Sequence, residues 1–181
     1  MFKKLLNSKN VEKEPSTEEL VERGFVPRDG KIDILFIFPP TTVAGRYGRK
    51  SIGKIGGNLI PLGIASLAAY VRDKGWGVGV LDCPGLGIED ETVHEIIKEK
   101  DPAIIAFSVT TYALLHALEI AKKIRNNFPK KLTVIGGSHA NVAGEDTASN
   151  HEFFDVISYG LDGEYIINDI IKKFSQKNFD R

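Results

Sequence analysis

The sequence contains one cysteine, no excess of either charge and no long apolar run. A single thiol, Cys83, cannot form an intramolecular disulfide, a multi-cysteine zinc site or a three-cysteine iron–sulfur site. The 24 Lys and Arg residues balance the 24 Asp and Glu residues, which argues against a general nucleic-acid-binding protein. No apolar stretch approaches the roughly 20 residues that a membrane-spanning helix needs. We therefore expect a cytoplasmic protein with no nucleic-acid partner and no membrane span.

The length of 181 residues and the 42% hydrophobic composition predict one globular domain with an extension. Residues 1–30 are polar, and Ser16 is positioned to cap a short helix through Leu20. We expect this N-terminal extension to become ordered on a partner. Residues 31–176 form the predicted domain, and residues 177–181 form a tail.

Apolar strands alternate with amphipathic helices along the domain. The predicted strands cover residues 32–38, 78–82, 103–107, 132–135 and 154–159. The predicted helices cover residues 61–72, 89–100, 112–127, 144–150 and 163–174. Right-handed crossovers then give an α/β fold with three layers. We predict a flavodoxin-like (Rossmann-like), doubly wound, five-stranded parallel sheet of order 2-1-3-4-5.

Small and polar residues follow the predicted strands at the edge where parallel strands end together. Pro39 and Pro40 follow the first strand, the run Ser-Val-Thr-Thr follows the third at 108–111, and Gly136 and Gly137 follow the fourth. In this strand order the switch point lies between strands one and three, so these residues are predicted to line one crevice. Hydroxyls and bare backbone suit a large polar cofactor better than acid–base catalysis.

Three residues near this crevice have a simpler structural interpretation. Thr111 is placed to cap the helix that begins near residue 112. For His139 we favour a loop histidine bonded to backbone over a metal ligand. Cys83 is predicted to be a buried structural thiol more than a reactive one.

The Gly-rich loop of residues 41–60 does not match the known phosphate-binding patterns. Its glycines and lysines lack the spacing of a phosphate loop or of a dinucleotide fingerprint. We predict a flexible basic lid or docking loop there, with a mobile solvated loop as the alternative. A receiver domain is disfavoured because Ser108, not an aspartate, follows the third strand.

The order of these motifs resembles the cobalamin-binding domain, in the version found upstream of radical S-adenosylmethionine (radical SAM) enzymes. The resemblance covers about residues 31–175. It rests on the following runs: Pro39-Pro40, Pro61-Leu62-Gly63-Ile64-Ala65-Ser66-Leu67-Ala68-Ala69-Tyr70, Asp82, Ser108-Val109-Thr110-Thr111, Gly136-Gly137-Ser138-His139-Ala140, and Gly160 with Gly163-Glu164.

The resemblance implies a corrinoid over the carboxyl edge of the sheet, with its dimethylbenzimidazole tail in the crevice. Ser108 and Thr110 would face the tail, and Gly136 and Gly137 would let it pass. The remaining implied cofactor-binding residues frame the site or lie near the ring edge: Pro39, Pro40, Leu62, Gly63, Asp82, Cys83, Pro84, Thr111, His139, Gly160 and Glu164.

The sequence departs from the family in two places. No histidine occurs between Ile32 and Val93, where methionine-synthase-like carriers have the cobalt ligand, so the resemblance implies a base-off, histidine-off cobalamin and no protein metal ligand. The Gly-Glu-Gly-Glu run that is usual after strand five is replaced by Gly-Leu-Asp-Gly-Glu at 160–164, which retains Glu164.

The radical enzymes bind S-adenosylmethionine and a [4Fe-4S] cluster in a following barrel domain with three cysteines. One cysteine cannot supply that cluster, so the barrel is expected downstream of this chain or as a separate partner. The leading hypothesis is a domain, not catalytic by itself, that holds cobalamin for a radical SAM methyltransferase. The alternatives are a stand-alone corrinoid carrier or sensor and a flavin-binding electron carrier.

Overall fold

Five parallel strands form the centre of the computed structural model, which describes residues 14–41, 60–160 and 162–177. The strands are β1 (Ile34–Phe38), β2 (Val78–Asp82), β3 (Ile104–Ser108), β4 (Leu132–Gly136) and β5 (Val156–Ile157). Their order in the sheet is β2-β1-β3-β4-β5, and every neighbouring pair is parallel. The predicted flavodoxin-like α/β fold is confirmed.

Helices cover both faces of the sheet. They are α1 (Thr17–Glu22), α2 (Leu62–Asp73), α3 (Cys83–Leu86), α4 (Asp90–Lys100), α5 (Leu114–Asn127), α6 (Ser138–Asn150) and α7 (Gly163–Ser175), and a 3₁₀ helix spans Thr111–Ala113. One face packs against α4 and α5, and the other packs against α2 and α7. Because both faces are covered, the strands are nearly continuous apolar runs in the sequence.

Side chains alternate between the two faces of the sheet, as the strand geometry requires. Odd-numbered residues such as Ile37 and Ile135 pack on the α4 and α5 side. Even-numbered residues such as Phe36, Ala106 and Val134 pack on the α2 and α7 side, where they are aligned across three strands. Ser108 pairs with Gly136 at the next even-numbered position of β3 and β4, so the carboxyl end of this face carries small residues.

The N-terminal segment packs on the domain itself, which differs from the expectation of an extension ordered by a partner. Ser16 caps α1 as predicted: Glu19 N donates to Ser16 Oγ, and Ser16 N donates to Glu19 Oε2. Leu20 is fully buried in the core on the α4 and α5 side, and Phe25 O accepts a 2.8 Å bond from Val80 N in the edge strand β2. Residues 1–13 lie outside the described part.

Two predicted element boundaries are wrong. The helix expected at 144–150 begins at Ser138 and has a kink at Ala143, whose φ and ψ are −132° and 31°. Its small and polar residues carry little apolar periodicity, so the first turns are not visible in the sequence. The fifth strand, predicted over residues 154–159, pairs only through Val156 and Ile157.

The loop predicted as a lid or docking loop falls almost wholly at residues 42–59, outside the described residues. Within the described ranges, no helix combines the length and apolar character needed to cross a membrane.

Candidate functional site

A cavity of about 250 Å³ opens at the carboxyl end of the sheet, on the face covered by α2 and α7. Most of its floor is formed by even-numbered residues of β1, β3 and β4, and its walls by the N-terminal parts of α2 and α7, by α6 and by the segment after β5. The lining residues are Phe36, Gly63, Leu67, Ala106, Phe107, Ser108, Val134, Gly136, Gly137, Asn141, Ser158, Gly160, Gly163, Glu164 and Ile167. The cavity exists because small residues occupy positions where larger side chains would fill the space between helices and sheet.

The cavity is shifted along the carboxyl edge of the sheet relative to the predicted crevice. Ser108, Gly136 and Gly137 line it, whereas Pro39 and Pro40 after β1 do not. The reason is that α2 and α7 cover this face side by side, so the gap opens between their N-termini. A hydrogen bond from Ser66 Oγ to Glu164 Oε1 (2.9 Å) joins the two helices at the edge of this gap.

Gly137 brings the ends of β3 and β4 into direct contact. It has φ +93°, and a Cβ added there would lie 2.7 Å from Val109 N and 3.0 Å from Ser108 Oγ. Val109 N donates to Gly136 O, and His139 N donates to Val109 O, both at 2.9 Å. Gly137 is therefore needed for contact with the chain's own backbone, while Gly136 leaves room at the cavity.

The Thr110 hydroxyl is buried and has no hydrogen-bond partner within the described parts of the chain. Thr110 is the N-cap position of the 3₁₀ helix, but its side chain makes no capping bond. Leaving a buried hydroxyl unpaired costs about 1–3 kcal/mol. Thr110 lies two positions beyond Ser108 of the cavity wall and is not itself among the lining residues.

The predicted capping role of Thr111 is wrong. The 3₁₀ helix that begins at Thr111 has no side-chain cap, and Thr111 Oγ1 instead lies 3.2 Å from His139 Nδ1. His139 is also not a loop histidine bonded to backbone: it lies in the first turn of α6 with only 6% of its surface exposed. Its Nε2 lies 3.1 Å from Thr147 Oγ1. Both ring nitrogens are thus engaged by hydroxyls.

The predicted residues near β2 and β1 lie at the same edge of the sheet but outside the cavity lining. Asp82 Oδ1 accepts a 3.3 Å bond from Gly85 N at the start of α3, and Pro84 lies within that helix, partly exposed. Pro39 and Pro40 are buried after β1. Leu62, at the start of α2, leaves 75% of its surface exposed.

Cys83 is fully buried in the core on the α4 and α5 side, as the structural interpretation of this thiol predicts. Burial raises the pKa of the Cys83 thiol well above its ordinary value, and the negative charges of Asp82 and Asp90 add to this effect. The thiol is therefore protonated and inaccessible in the folded protein.

The structure brings together six of the predicted site residues in the cavity lining: Gly63, Ser108, Gly136, Gly137, Gly160 and Glu164. Sequence reasoning missed most of the apolar floor and two polar residues, Asn141 and Ser158. Asn141 Oδ1 accepts a 2.9 Å bond from Gly160 N, which holds α6 against the segment after β5. The alternation of side chains along the strands could have identified Phe36 and Ala106 as residues of this face. No pattern in the sequence around Asn141 marks it as a site residue.

Among the described residues, no group of three or more His, Cys, Asp and Glu side chains is arranged to hold a metal ion. The cavity lining includes small residues, hydroxyls and backbone groups, and these suit an organic group with polar substituents.

Comparison with known proteins identifies the family. The protein-family model of the B12 binding domain matches residues 48–166. The chain is 29% identical over 143 residues to an uncharacterized methyltransferase of Pyrococcus horikoshii, covering 79% of this chain and 29% of the relative.

Two further relatives are anaerobic magnesium-protoporphyrin IX monomethyl ester cyclases. The enzyme of Cereibacter sphaeroides is 26% identical over 127 residues (70% of this chain, 21% of the relative), and that of Rubrivivax gelatinosus is 27% identical over 150 residues (81% and 25%). The chain thus spans between a fifth and a third of the length of these relatives. The 2-1-3-4-5 sheet, the cavity at its carboxyl edge and the family match agree: this chain belongs to the B12-binding domain family.

Proposed function

We propose that this domain binds cobalamin in a base-off, histidine-off form, with the nucleotide tail of the cofactor in the cavity between α2 and α7. The observation that carries this proposal is the cavity itself, with its small residues and its hydroxyls at the carboxyl edge of the sheet. Bound cobalamin supplies a cobalt centre able to carry a methyl group, and the protein contributes binding and orientation.

The size of the cavity supports partial entry of the cofactor. Cavities that enclose a whole drug-sized ligand measure about 300–1,000 Å³. At about 250 Å³, this one accommodates a portion of a large cofactor and leaves the rest over the sheet edge. Ser108 and Glu164 supply polar groups within the lining, and two positions beyond Ser108 the buried hydroxyl of Thr110 has no hydrogen-bond partner among the described residues.

The positions of the histidines support the histidine-off form. The sequence has none between Ile32 and Val93. His94 and His116 lie on α4 and α5, the helices that cover the opposite face of the sheet from the cavity. Both nitrogens of His139 are engaged by threonine hydroxyls.

Exposed apolar side chains lie at the carboxyl end of the sheet, the end at which the cavity opens, and support a protein partner there. The large hydrophobic residues that are exposed in the described part all lie at the N-termini of helices or just after β5, which is the carboxyl end of the sheet. This apolar rim comprises Ile60, Leu62, Tyr112, Leu115, Val142, Tyr159 and Tyr165. Clustered exposed apolar surface marks interaction sites.

We propose that the partner is a radical SAM barrel domain, which carries S-adenosylmethionine and the [4Fe-4S] cluster and docks on the apolar rim in cis or in trans. The name of the Pyrococcus relative supports a methyltransferase as the complete enzyme, and the cyclase relatives support a porphyrin-type reaction class as the alternative. A coding sequence downstream of residue 181 with a Cys-x3-Cys-x2-Cys motif would favour the cis arrangement.

The test is to mix the purified domain with hydroxocobalamin, remove free ligand by gel filtration and record the visible spectrum. Retained corrinoid with a base-off spectrum supports the proposal. A domain that retains no corrinoid refutes it, and a histidine-ligated spectrum refutes the histidine-off form. A yellow protein that elutes with flavin would instead support the electron-carrier alternative.

A further inference from the structure

His139 forms the centre of a polar chain that links two segments far apart in the sequence, exposed at Thr111 and buried at His139 and Thr147. Thr111 Oγ1 lies 3.2 Å from His139 Nδ1, and Thr147 Oγ1 lies 3.1 Å from His139 Nε2. His139 and Thr147 expose only 6% and 1% of their surfaces. The chain ends on the backbone, where Thr147 Oγ1 donates to Ala143 O at 2.7 Å, beside the kink in α6.

The donors and acceptors can be assigned along the chain. A hydroxyl has one proton, and that of Thr147 is used by Ala143 O, so Thr147 Oγ1 must accept from His139 Nε2–H. In the neutral ring Nδ1 is then an acceptor, and it receives the proton of the Thr111 hydroxyl. The sequence of donation is Thr111 to His139 to Thr147 to the backbone.

The polar chain of Thr111, His139 and Thr147 extends the contact between the ends of β3 and β4. Backbone bonds already join Val109 to Gly136 and to His139, each at 2.9 Å. The Thr111–His139 bond adds a side-chain contact two residues further along the β3 exit. Thr110 lies between these two held points, and Ser108, which lines the cavity and pairs with Gly136, directly precedes the first of them.

We propose that His139 is a positioning residue for the cofactor: it does not contact the corrinoid but holds residues 108–111 in the conformation that shapes the tail-binding part of the cavity. This inference rests on the proposed function. Thr147 keeps its bond to Ala143 without the histidine, and Thr111 is exposed to water, so the histidine contributes geometry more than stability.

The two ring nitrogens can be tested separately. Asparagine at position 139 places an acceptor where Nδ1 lies and retains the Thr111 bond, whereas glutamine places a donor where Nε2 lies and retains the Thr147 bond. We expect His139→Asn to bind cobalamin nearly as well as the unmodified domain. We expect His139→Gln and Thr111→Val to bind it about five- to tenfold more weakly, the loss that corresponds to one hydrogen bond.

Cobinamide, a corrinoid without the nucleotide tail, separates positioning from general destabilisation. All variants are expected to bind cobinamide within about twofold of the unmodified domain, because the tail-binding segment is not used. Thermal melting of each variant checks the fold. In the unmodified domain, ¹⁵N NMR of His139 is expected to show the Nε2–H tautomer, and an Nδ1–H tautomer would overturn the assigned chain.

The outcomes distinguish this inference from the proposed function. An unmodified domain that does not prefer cobalamin to cobinamide overturns both. A domain with that preference whose His139→Gln and Thr111→Val variants keep it in full overturns the positioning role alone. Equal losses for both corrinoids in the His139→Gln variant assign the residue a purely structural role and also overturn the inference.

Discussion

Replacing Gly137 by alanine is expected to destabilise the domain by about 3 kcal/mol or more. Gly137 has φ +93° and ψ −171°, a backbone region that is almost restricted to glycine, and other residues held there cost about 1–3 kcal/mol. The added methyl would also lie 2.7 Å from Val109 N and 2.9 Å from Val109 O, which are backbone atoms and cannot rotate away. Relief of this clash requires the ends of β3 and β4 to separate.

The matched control is Gly136→Ala, one residue earlier. The nearest atom to a Cβ at Gly136 is Ser158 O at 3.4 Å, and its φ is not positive, so we expect a loss of stability under about 1 kcal/mol. This methyl points into a lining position of the cavity, so the variant should fold but bind cobalamin more weakly.

Thermal and urea denaturation of the two variants measure the difference. For a domain of this size, about 3 kcal/mol corresponds to a melting temperature lower by about 6–12 °C. That loss is a large part of the total stability of about 5–15 kcal/mol. If Gly137→Ala melts within about 2 °C of Gly136→Ala, the proposed contact between the two strand ends does not constrain the fold.

Three further predictions follow from single sites. Ser108→Trp should abolish cobalamin binding with an unchanged melting temperature, because an indole occupies much of the 250 Å³ cavity; unchanged affinity would remove Ser108 from the site. Cys83 should react with thiol reagents only after unfolding, and a thiol that reacts in the folded protein would contradict the burial. Because its pKa is raised in the folded protein, the contribution of Cys83 to stability should be constant below about pH 9 and fall as the pH rises above it. Asp155→Ala should cost about 2–4 kcal/mol by urea denaturation, because its carboxylate, 4% exposed, accepts bonds from Arg125 and from the backbone and hydroxyl of Thr133. The exposed Asp169→Ala, as control, should cost about 0.5 kcal/mol or less, and similar losses for both would refute the assignment.

The strand order could be predicted because each link in the reasoning is local or nearly universal. Apolar runs separated by amphipathic helices require crossovers, and crossovers between parallel strands are right-handed. The carboxyl ends of the strands therefore meet at one edge, and the predicted order 2-1-3-4-5 places the run 108–111 next to Gly136 and Gly137. The structure confirms this placement through the Ser108–Gly136 pair and the Val109–Gly136 bond.

Some site residues have no local signature, because their positions depend on contacts between distant segments. Asn141 accepts a hydrogen bond from Gly160, which is 19 residues away in the sequence, and Ser66 donates one to Glu164, which is 98 residues away. Thr111 looked like a helix cap because it precedes a helix, but a buried histidine 28 residues away binds its hydroxyl. A tertiary partner of this kind outweighs the local preference for capping.

The sequence by itself determined that the two runs at 108–111 and 136–139 follow parallel strands and lie at the carboxyl edge of one sheet, and it favoured the order 2-1-3-4-5, in which they are neighbours. Only the tertiary structure decided how they meet. It placed Gly137 against the backbone of Val109, directed His139 towards threonines on two segments, and opened the cavity between α2 and α7. These outcomes depend on packing at the scale of single methyl groups, which a pattern of residue types along one chain does not encode.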